Sequence, residues 1–268
     1  MFKLHILALL LGTILDVLVG PLYSVWNPFD SVKKWIKFLD RALLGDEIIL
    51  LEPSKQEHLG IWAIALVLSP VIVFVSFFNM LCYDISPFFG VIFEALATYF
   101  CLEGNRTFYL GRNVMESYYG DGMDSMNKAY EILTGEEEVS SASEKVLTEK
   151  TVTVIANEAG DSVISPLVVM FFFGPVGGFI YRSLDLLDRQ IAHKNQRYQH
   201  FGFYVAKLNQ IIDYLPSRFS GLLAVFAARH TFGDFNGKNA RYIHLRIQGC
   251  FSLLRSHWNQ TERWHNRR

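Results

Sequence analysis

Residues 163–181 read VISPLVVMFFFGPVGGFIY and carry no charge, whereas residues 182–218, RSLDLLDRQIAHKNQRYQHFGFYVAKLNQIIDYLPSR, are densely charged. The first stretch is long enough to enter a bilayer. Charged side chains are costly in hydrocarbon and face protein or water when they lie at membrane depth. We therefore expect the charged run to line a site at the membrane surface. Its candidate residues are Arg182, Asp185, Asp188, Lys194, Asn195, Arg197, Tyr198 and Arg218.

The apolar block is interrupted by helix-breaking residues, namely Pro166, Gly174, Pro175, Gly177 and Gly178. Irregular backbone at membrane depth persists only where protein or a wet cavity covers it. The pattern favours a re-entrant hairpin over a straight crossing. A hairpin places the preceding polar segment NEAGDS on the same side of the membrane as the charged run, whereas a full crossing separates the two.

The composition is that of a membrane protein, with 51% hydrophobic residues and 22 Phe and a mean hydropathy of +0.20. The apolar residues come in blocks rather than at amphipathic spacing. A net charge of −1, with no basic run interleaved with aromatic residues, argues against nucleic-acid binding. The three cysteines show no CxxC spacing, so we expect free thiols rather than disulfides or a metal site.

Three further apolar stretches predict spanning helices. Residues 4–23 could be mistaken for a signal peptide, but Asp16 falls inside the run and no small-x-small cleavage pattern follows, which favours a retained helix. Residues 59–83 are uncharged throughout, and residues 86–102 follow a short polar break that turns the chain into a helical hairpin. Residues 219–228 are too short to cross alone and indicate a half-span or a buried helix.

The sequence thus predicts an all-α fold, a polytopic integral membrane helical bundle with about three spanning helices plus re-entrant or half-spanning helices. We expect one membrane domain over residues 1–268. Its tail from Arg229 has eight Lys or Arg against two acidic residues, a balance typical of the cytoplasmic side. This orientation predicts a multi-pass protein of the plasma (inner) membrane with its site on the cytoplasmic face. The expected cytoplasmic segments are residues 24–58, which include an amphipathic helix at 31–44, and residues 103–162, 182–218 and 229–268.

Two carboxylates lie inside apolar segments. Asp16 is either a helix-end carboxylate that reaches the interface or a buried group that faces the site. Glu94 lies in the middle of its segment, where an unpaired charge is expensive, so it should face protein and pair with a cation or be protonated. The pattern leaves open whether that pairing is functional or structural.

Residues 181–222 carry a series of ordered motifs: a Tyr-Arg start, Leu-Asp pairs, Lys-Asn-x-Arg-Tyr, Phe-Gly and Pro-x-Arg. In this series the chain resembles the CbiB/CobD family, adenosylcobinamide-phosphate synthase of cobalamin biosynthesis. DVLVGPLYSVWNPFDSV, residues 16–32, is similar to the N-terminal family region, although Asn27 stands where the family usually has His. NEAGDSVISPL is similar to a further family motif, with Asn157 and Glu158 exchanged.

The resemblance implies a membrane enzyme that joins aminopropanol phosphate to a carboxylate of adenosylcobyric acid, using ATP and Mg²⁺. Amide formation needs an activated carboxylate, and hence cations that face phosphate and acidic groups that hold the metal. On this reading Asp161 and Asp188 are candidate Mg²⁺ ligands. The catalytic candidates are Asp161, Asp188, Lys194 and Arg197, and the substrate-binding candidates are Asp16, Asn157, Glu158, Asn195, Tyr198 and Arg218.

Each of these residues also has a simpler, structural interpretation. Asp188 and Lys194 could form an interfacial ion pair, Arg218 could cap a helix or meet a lipid headgroup, and Tyr198 and Phe201 could simply pack. His193 and His200 could act as bases, but a structural hydrogen bond is the commoner role.

The resemblance also has gaps. GEEE at residues 135–138 stands where the family has Gly-Arg-Asp-Thr. A non-catalytic sensor akin to the AmpE-like relatives is therefore the alternative function, and a small transporter is a weaker one. The expected partners are the corrinoid and aminopropanol phosphate substrates and the lipid membrane, with a homo-oligomer or other corrinoid-pathway membrane enzymes as further possibilities.

Overall fold

Proline sets the start of three helices in the first half of the chain. Pro28, Pro53 and Pro87 each occupy the first helical turn, where a missing N–H costs nothing. The side chain of Asn27 accepts a hydrogen bond from the Phe29 amide at 2.9 Å, and that of Ser86 accepts from Phe88 at 3.3 Å. Both residues therefore act as helix N-caps, which gives Asn27 a structural role at the position where the family usually has His.

The structure, a computed structural model, describes residues 2–20, 27–45, 52–134, 144–192 and 197–232. These residues form nine α-helices and one π-helical turn, Gly160–Ile164, and include no strand, so the predicted all-α fold is confirmed. The helices are α1 Phe2–Val19, α2 Pro28–Leu44, α3 Pro53–Ile85, α4 Pro87–Cys101, α5 Gly104–Asp121, α6 Met123–Thr134, α7 Glu144–Ala159, α8 Ser165–Ile191 and α9 Phe203–Phe232.

Four helical stretches are long and apolar enough to cross a membrane: Phe2–Val19, Pro53–Ile85, Pro87–Gly120 and Lys150–Ile191. Many large apolar side chains on them are exposed, among them Val73, Phe74, Phe77 and Met80 on α3 and Phe88 and Phe89 on α4. Such surface suits lipid rather than water. The protein is a multi-pass membrane protein, as the apolar blocks predict.

The chain forms two compact units. The first comprises Met1–Thr107 and Ser165–Tyr214, and the second comprises Phe108–Ile164 and Leu215–Arg268. In the first unit α4 packs against α1, α3 and α8, and α2 packs against α3 and α8. Its core contains the fully buried side chains of Ile36, Val67, Met170, Leu184, Leu187 and Phe201.

The second unit has a smaller core. Val114 of α5, Met126, Ala129 and Tyr130 of α6, and Leu147 of α7 form it. Residues 103–162, which the sequence predicts as a cytoplasmic segment, are thus partly helical. The acidic residues 135–138 lie outside the described residues, as does the basic tail beyond residue 232.

Helix α8 is a folded-back hairpin rather than a straight rod. Gly174 interrupts it with φ 65° and ψ −163°, a conformation that is essentially restricted to glycine. Ser165 Oγ and Tyr181 OH both donate to Asp213 Oδ1, each at 3.1 Å. In a straight helix those two residues would be about 24 Å apart, so the two arms must return to the same end.

Close packing between the arms confirms the reversal. A Cβ added at Gly178 would lie 2.4 Å from Met170 Cγ, although residues eight positions apart are about 12 Å apart in a straight helix. The first arm, from Ser165 to Gly174, is about 13 Å long, which is roughly half of a 30 Å hydrocarbon core. The folded-back segment predicted from the Pro and Gly pattern is therefore present, and its length is that of a half-span.

Candidate functional site

The returning arm of the α8 hairpin carries a buried ionic network. Arg182, only 2% exposed, forms ion pairs with Glu103 and with Asp185, the latter at 2.7 Å between Nη1 and Oδ2. Arg189 Nε donates to the other oxygen of Asp185 at 3.0 Å, and Arg106 Nη1 lies 3.1 Å from Glu103 Oε2. A buried guanidinium is tolerated only when it is paired and hydrogen-bonded. The network therefore fixes the hairpin to the junction of α4 and α5.

Two predicted site residues meet one carboxylate in the turn that precedes α9. Tyr198 OH donates to Asp40 Oδ2 at 3.0 Å, and Arg197 Nη2 lies 3.6 Å from the same oxygen. Arg197 Nη2 also donates to the carbonyl oxygen of Gly45 at 3.3 Å. Burial, together with the negative charge of Asp40, raises the pKa of Tyr198 above its ordinary value. Arg197 and Tyr198 thus form a polar cluster with the C-terminal end of α2.

Asp188 lies on the same arm as the ionic network. Its Oδ2 accepts a hydrogen bond from Asn209 Nδ2 of α9 at 3.2 Å. The turn between the two helices is held in place by Phe201, which is fully buried, as the packing interpretation predicted. A Cβ at Gly60 would lie 2.2 Å from the carbonyl oxygen of Phe201, so only glycine allows α3 to approach the turn this closely. His200 lies 3.9 Å from Glu57, which makes at most a weak ion pair.

Four further predicted residues lie on three elements. Asn157 and Glu158 end α7, Asp161 lies in the π-helical turn, and Arg218 lies on α9, all within the second unit. In that unit α9 approaches the π-helical turn closely, since a Cβ at Gly160 would lie 2.7 Å from Ser220 Oγ. Lys194 and Asn195, with His193, lie outside the described residues. The roles proposed for all of these residues stay predictions.

Asp16 is buried near the end of α1 rather than exposed at an interface. Its side chain accepts hydrogen bonds from the backbone amides of Gly104 and Asn105, the first residues of α5. Asn105 Nδ2 in turn donates to the Asp16 carbonyl at 3.3 Å. A carboxylate at a helix N-terminus satisfies amides that have no partner in the helix. Asp16 therefore caps α5, and its predicted contact with substrate remains a prediction.

Glu94 faces protein, as its position predicted, and contacts a basic side chain. It forms an ion pair with His5 Nδ1 of α1, and its Oε2 accepts from Tyr83 OH of α3 at 2.8 Å. His5 Nε2 lies 3.3 Å from the carbonyl oxygen of Phe171, beside the hairpin tip. Both ring nitrogens of His5 thus face oxygen atoms, and a protonated imidazolium would make its contact with Glu94 an ion pair. One polar cluster thus joins α1, α3, α4 and the tip of α8.

Sequence reasoning missed several partners that complete these clusters. Asp40 reads as a solvated charge on an amphipathic helix, and Glu103 as the first charge after an apolar segment. Asn209 and Asp213 lie in the charged run, where the sequence gives no reason to prefer them. The available signal for Asp40 was its position on an apolar helix face, since Ile36 and Leu44 lie four positions before and after it.

Comparison with known proteins gives a consistent result. A family model described as CobD/Cbib protein matches residues 9–265. A cobalamin biosynthesis protein CobD of Clostridium perfringens is 23% identical over 82% of this chain and 68% of its own length. A probable cobalamin biosynthesis protein CobD of Methanocaldococcus jannaschii is 25% identical over 86% and 74%, and a CobD of Brucella melitensis is 25% identical over 91% and 74%. No solved structure matches the chain.

Proposed function

The chain belongs to the CobD/Cbib family, and on that premise we propose that it is a cobalamin-biosynthesis enzyme of the cell membrane. The proposed reaction joins the amine of aminopropanol phosphate to a carboxylate side chain of adenosylcobyric acid. The products are adenosylcobinamide phosphate, ADP and phosphate. The relatives' names support the pathway, and the resemblance in residues 181–222 supports this particular reaction.

The chemistry sets the demands on the site. ATP transfers its terminal phosphoryl group to the carboxylate, and the amine nitrogen then attacks the acyl carbon and expels phosphate, with loss of one proton. ATP and aminopropanol phosphate both carry phosphate groups. Negative charge shifts among phosphate oxygens when the phosphoryl group is transferred and again when phosphate leaves. The protein's task is therefore to hold phosphates beside the carboxylate with fixed cationic donors.

The observation that carries the proposal is the placement of charged residues on the returning arm of α8 and in the turn after it. Asp188 and Arg197 are bound by Asn209 and Asp40 respectively, so their side chains are oriented before any substrate arrives. Arginine presents a planar fork that matches phosphate oxygens. We assign phosphate contacts to Arg197 and to Lys194, which precedes it by three positions.

Magnesium is part of the proposal because it accompanies ATP. In the described part of the chain, no group of three or more His, Cys, Asp or Glu side chains could hold a metal. Mg²⁺ usually takes one or two protein carboxylates and completes its shell with water and substrate phosphates. Asp188 is proposed as one such carboxylate, and Asp161 stays a candidate predicted from the sequence. When bound, the cation neutralises phosphate charge.

The site is proposed to face the cytoplasm of the inner membrane. ATP is available there, and the basic tail after Arg229 is typical of that side. The folded-back hairpin brings the charged arm to the same end as Ser165, the residue at which the first arm begins. This arrangement supports a site on one face of the membrane.

The direct test is turnover by the purified protein in detergent. Incubation with adenosylcobyric acid, aminopropanol phosphate and MgATP should yield adenosylcobinamide phosphate, detected by chromatography, with one ADP per product and none when any substrate is omitted. Asp188→Asn should abolish turnover. Asp30→Asn, a change at an exposed carboxylate that pairs with Lys33, is the matched control and should not. Failure of the wild-type protein to bind both MgATP and adenosylcobyric acid would remove the enzyme function.

A further inference from the structure

Asp40 has no role in the proposed chemistry, yet it binds two of the proposed site residues. It lies on α2, whose buried residues Phe29, Ile36, Leu39 and Leu44 fix that helix in the first unit. Its Oδ2 receives the Tyr198 hydroxyl at 3.0 Å and lies 3.6 Å from Arg197 Nη2. Asp40 is separated from these residues by more than 150 positions in sequence, so the contact depends entirely on tertiary packing.

The end of α2 supplies a second contact to the same guanidinium. Arg197 Nη2 donates to the Gly45 carbonyl at 3.3 Å. Gly45 has φ 61°, a left-handed conformation that favours glycine and ends the helix. The side chain of Asp40 and the carbonyl oxygen of Gly45 therefore both contact Arg197 Nη2.

Part of the Arg197 guanidinium group remains accessible to a ligand. A guanidinium has five N–H donors, and the contacts of Arg197 with Asp40, Gly45 and the Tyr198 side chain use only part of this set. The side chain is 31% exposed, so the other nitrogens can be reached by a ligand. The Tyr198 ring lies beside the guanidinium, with the Arg197 Cζ atom 5.6 Å from its centroid. Asp40 thus limits the rotation of both side chains at once.

We propose that Asp40 is a positioning residue, which orients Arg197 and Tyr198 so that the remaining Arg197 donors receive a substrate phosphate. This inference rests on the proposed function, which supplies two sources of that phosphate, ATP and aminopropanol phosphate. Asp40 itself touches neither. Its Oδ1 is buried and makes no hydrogen bond to the residues that the structure describes, so the described contacts of this carboxylate are made by Oδ2.

The kinetic test compares Asp40→Asn with Asp30→Asn, a change of the same kind on the same helix. We expect Asp40→Asn to raise the KM of one phosphate substrate about tenfold, the loss of roughly one charge-assisted contact, with kcat changed less than about threefold. The substrate whose KM rises identifies the phosphate source. Asp30→Asn should change neither constant, and Asp40→Glu should restore part of the loss.

A double variant separates positioning from a general structural effect. If Asp40 acts through Arg197, then Asp40→Asn should cost nothing further in an Arg197→Ala background. Additive losses in the double variant would overturn the inference, because they would mean that Asp40 works independently of the guanidinium.

A second readout does not depend on turnover. NMR of protein labelled with [ζ-¹³C]tyrosine in detergent reports the ionisation of Tyr198, assigned by its absence in Tyr198→Phe. Since the charge of Asp40 contributes to the raised pKa of Tyr198, Asp40→Asn should move this titration to lower pH. A shift in a protein without synthase turnover would support the positioning contact and reject the proposed function. Normal kinetics together with an unshifted titration would reject the inference and leave the function intact.

Discussion

Replacing His5 by alanine should destabilise the protein more than any other single change in the cluster at the hairpin tip. Glu94, whose side chain is 4% exposed, is held by His5 and by Tyr83 OH at 2.8 Å. Removing one partner of a buried ion pair leaves a buried charge without compensation, which costs about 3–5 kcal/mol. Tyr83→Phe removes a neutral donor to a charged acceptor and should cost about 1.5–3 kcal/mol.

Glu94→Gln is the informative comparison. The amide keeps an acceptor for Tyr83 and removes the charge, so it should cost only about 1 kcal/mol. In a Glu94→Gln background, His5→Ala should then lose most of its effect, because no buried charge remains to be compensated. The expected order of destabilisation is His5→Ala, then Tyr83→Phe, then Glu94→Gln.

Cys101 provides the assay. Its thiol is completely buried and lies beside Gly178 on the returning arm. In a background with Cys82→Ser and Cys250→Ser, a thiol-reactive dye should label Cys101 only when the helices separate. The midpoint of labelling against temperature or denaturant reports stability. Equal midpoints for His5→Ala and Glu94→Gln, or additive effects in the double variant, would refute the assignment of a buried ion pair.

Three further predictions use the same protein. Gly174→Ala should cost about 1–3 kcal/mol in the Cys101 labelling assay, because φ 65° with ψ −163° is strained for any residue with a side chain; an unchanged midpoint would argue against the tight reversal. Asp213→Ala should destabilise the protein by about 2 kcal/mol, because it removes the hydrogen-bond acceptor of Ser165 and Tyr181. In a Ser165→Ala/Tyr181→Phe background, which already lacks both donors, the same Asp213→Ala change should cost far less. Burial and Asp40 raise the pKa of Tyr198, so the folded state holds that proton more tightly than the unfolded state does. The resulting stability is complete below about pH 10 and is lost as the pH rises through the folded-state pKa, and Tyr198→Phe should abolish this slope in unfolding free energy measured against pH.

Local chemistry explains why much of the fold could be predicted. Proline at helix starts, uncharged runs of membrane length and a Gly-Pro break inside α8 each act over a few residues, so the sequence shows them directly. The behaviour of Glu94 was predictable for the same reason, since a carboxylate inside an apolar run must find a partner. The identity of that partner was not.

The contacts that define the candidate site are long-range. His5 and Glu94 are 89 positions apart, and Asp40 and Tyr198 are 158 positions apart. No periodicity or motif pairs residues at such separations, because which helix faces meet is decided by the packing of all the helices together. The same limit applies to Glu103, whose bond to Arg182 depends on how the α4–α5 junction meets α8. The sequence therefore indicated which segment carries the charges but not how α2 and α5 hold them.

A site on one face of the membrane requires that the hairpin enter the bilayer and return to the same side. In a protein whose native cysteines are replaced by serine, single cysteines can be placed at Ala156, which is exposed before the hairpin, and at Gln190, which is partly exposed after it. A membrane-impermeant thiol reagent should label both from the same side, the cytoplasmic face, which is the outer face of inverted membrane vesicles. Labelling of the two positions from opposite sides would show that residues 163–181 cross the bilayer and would contradict the account.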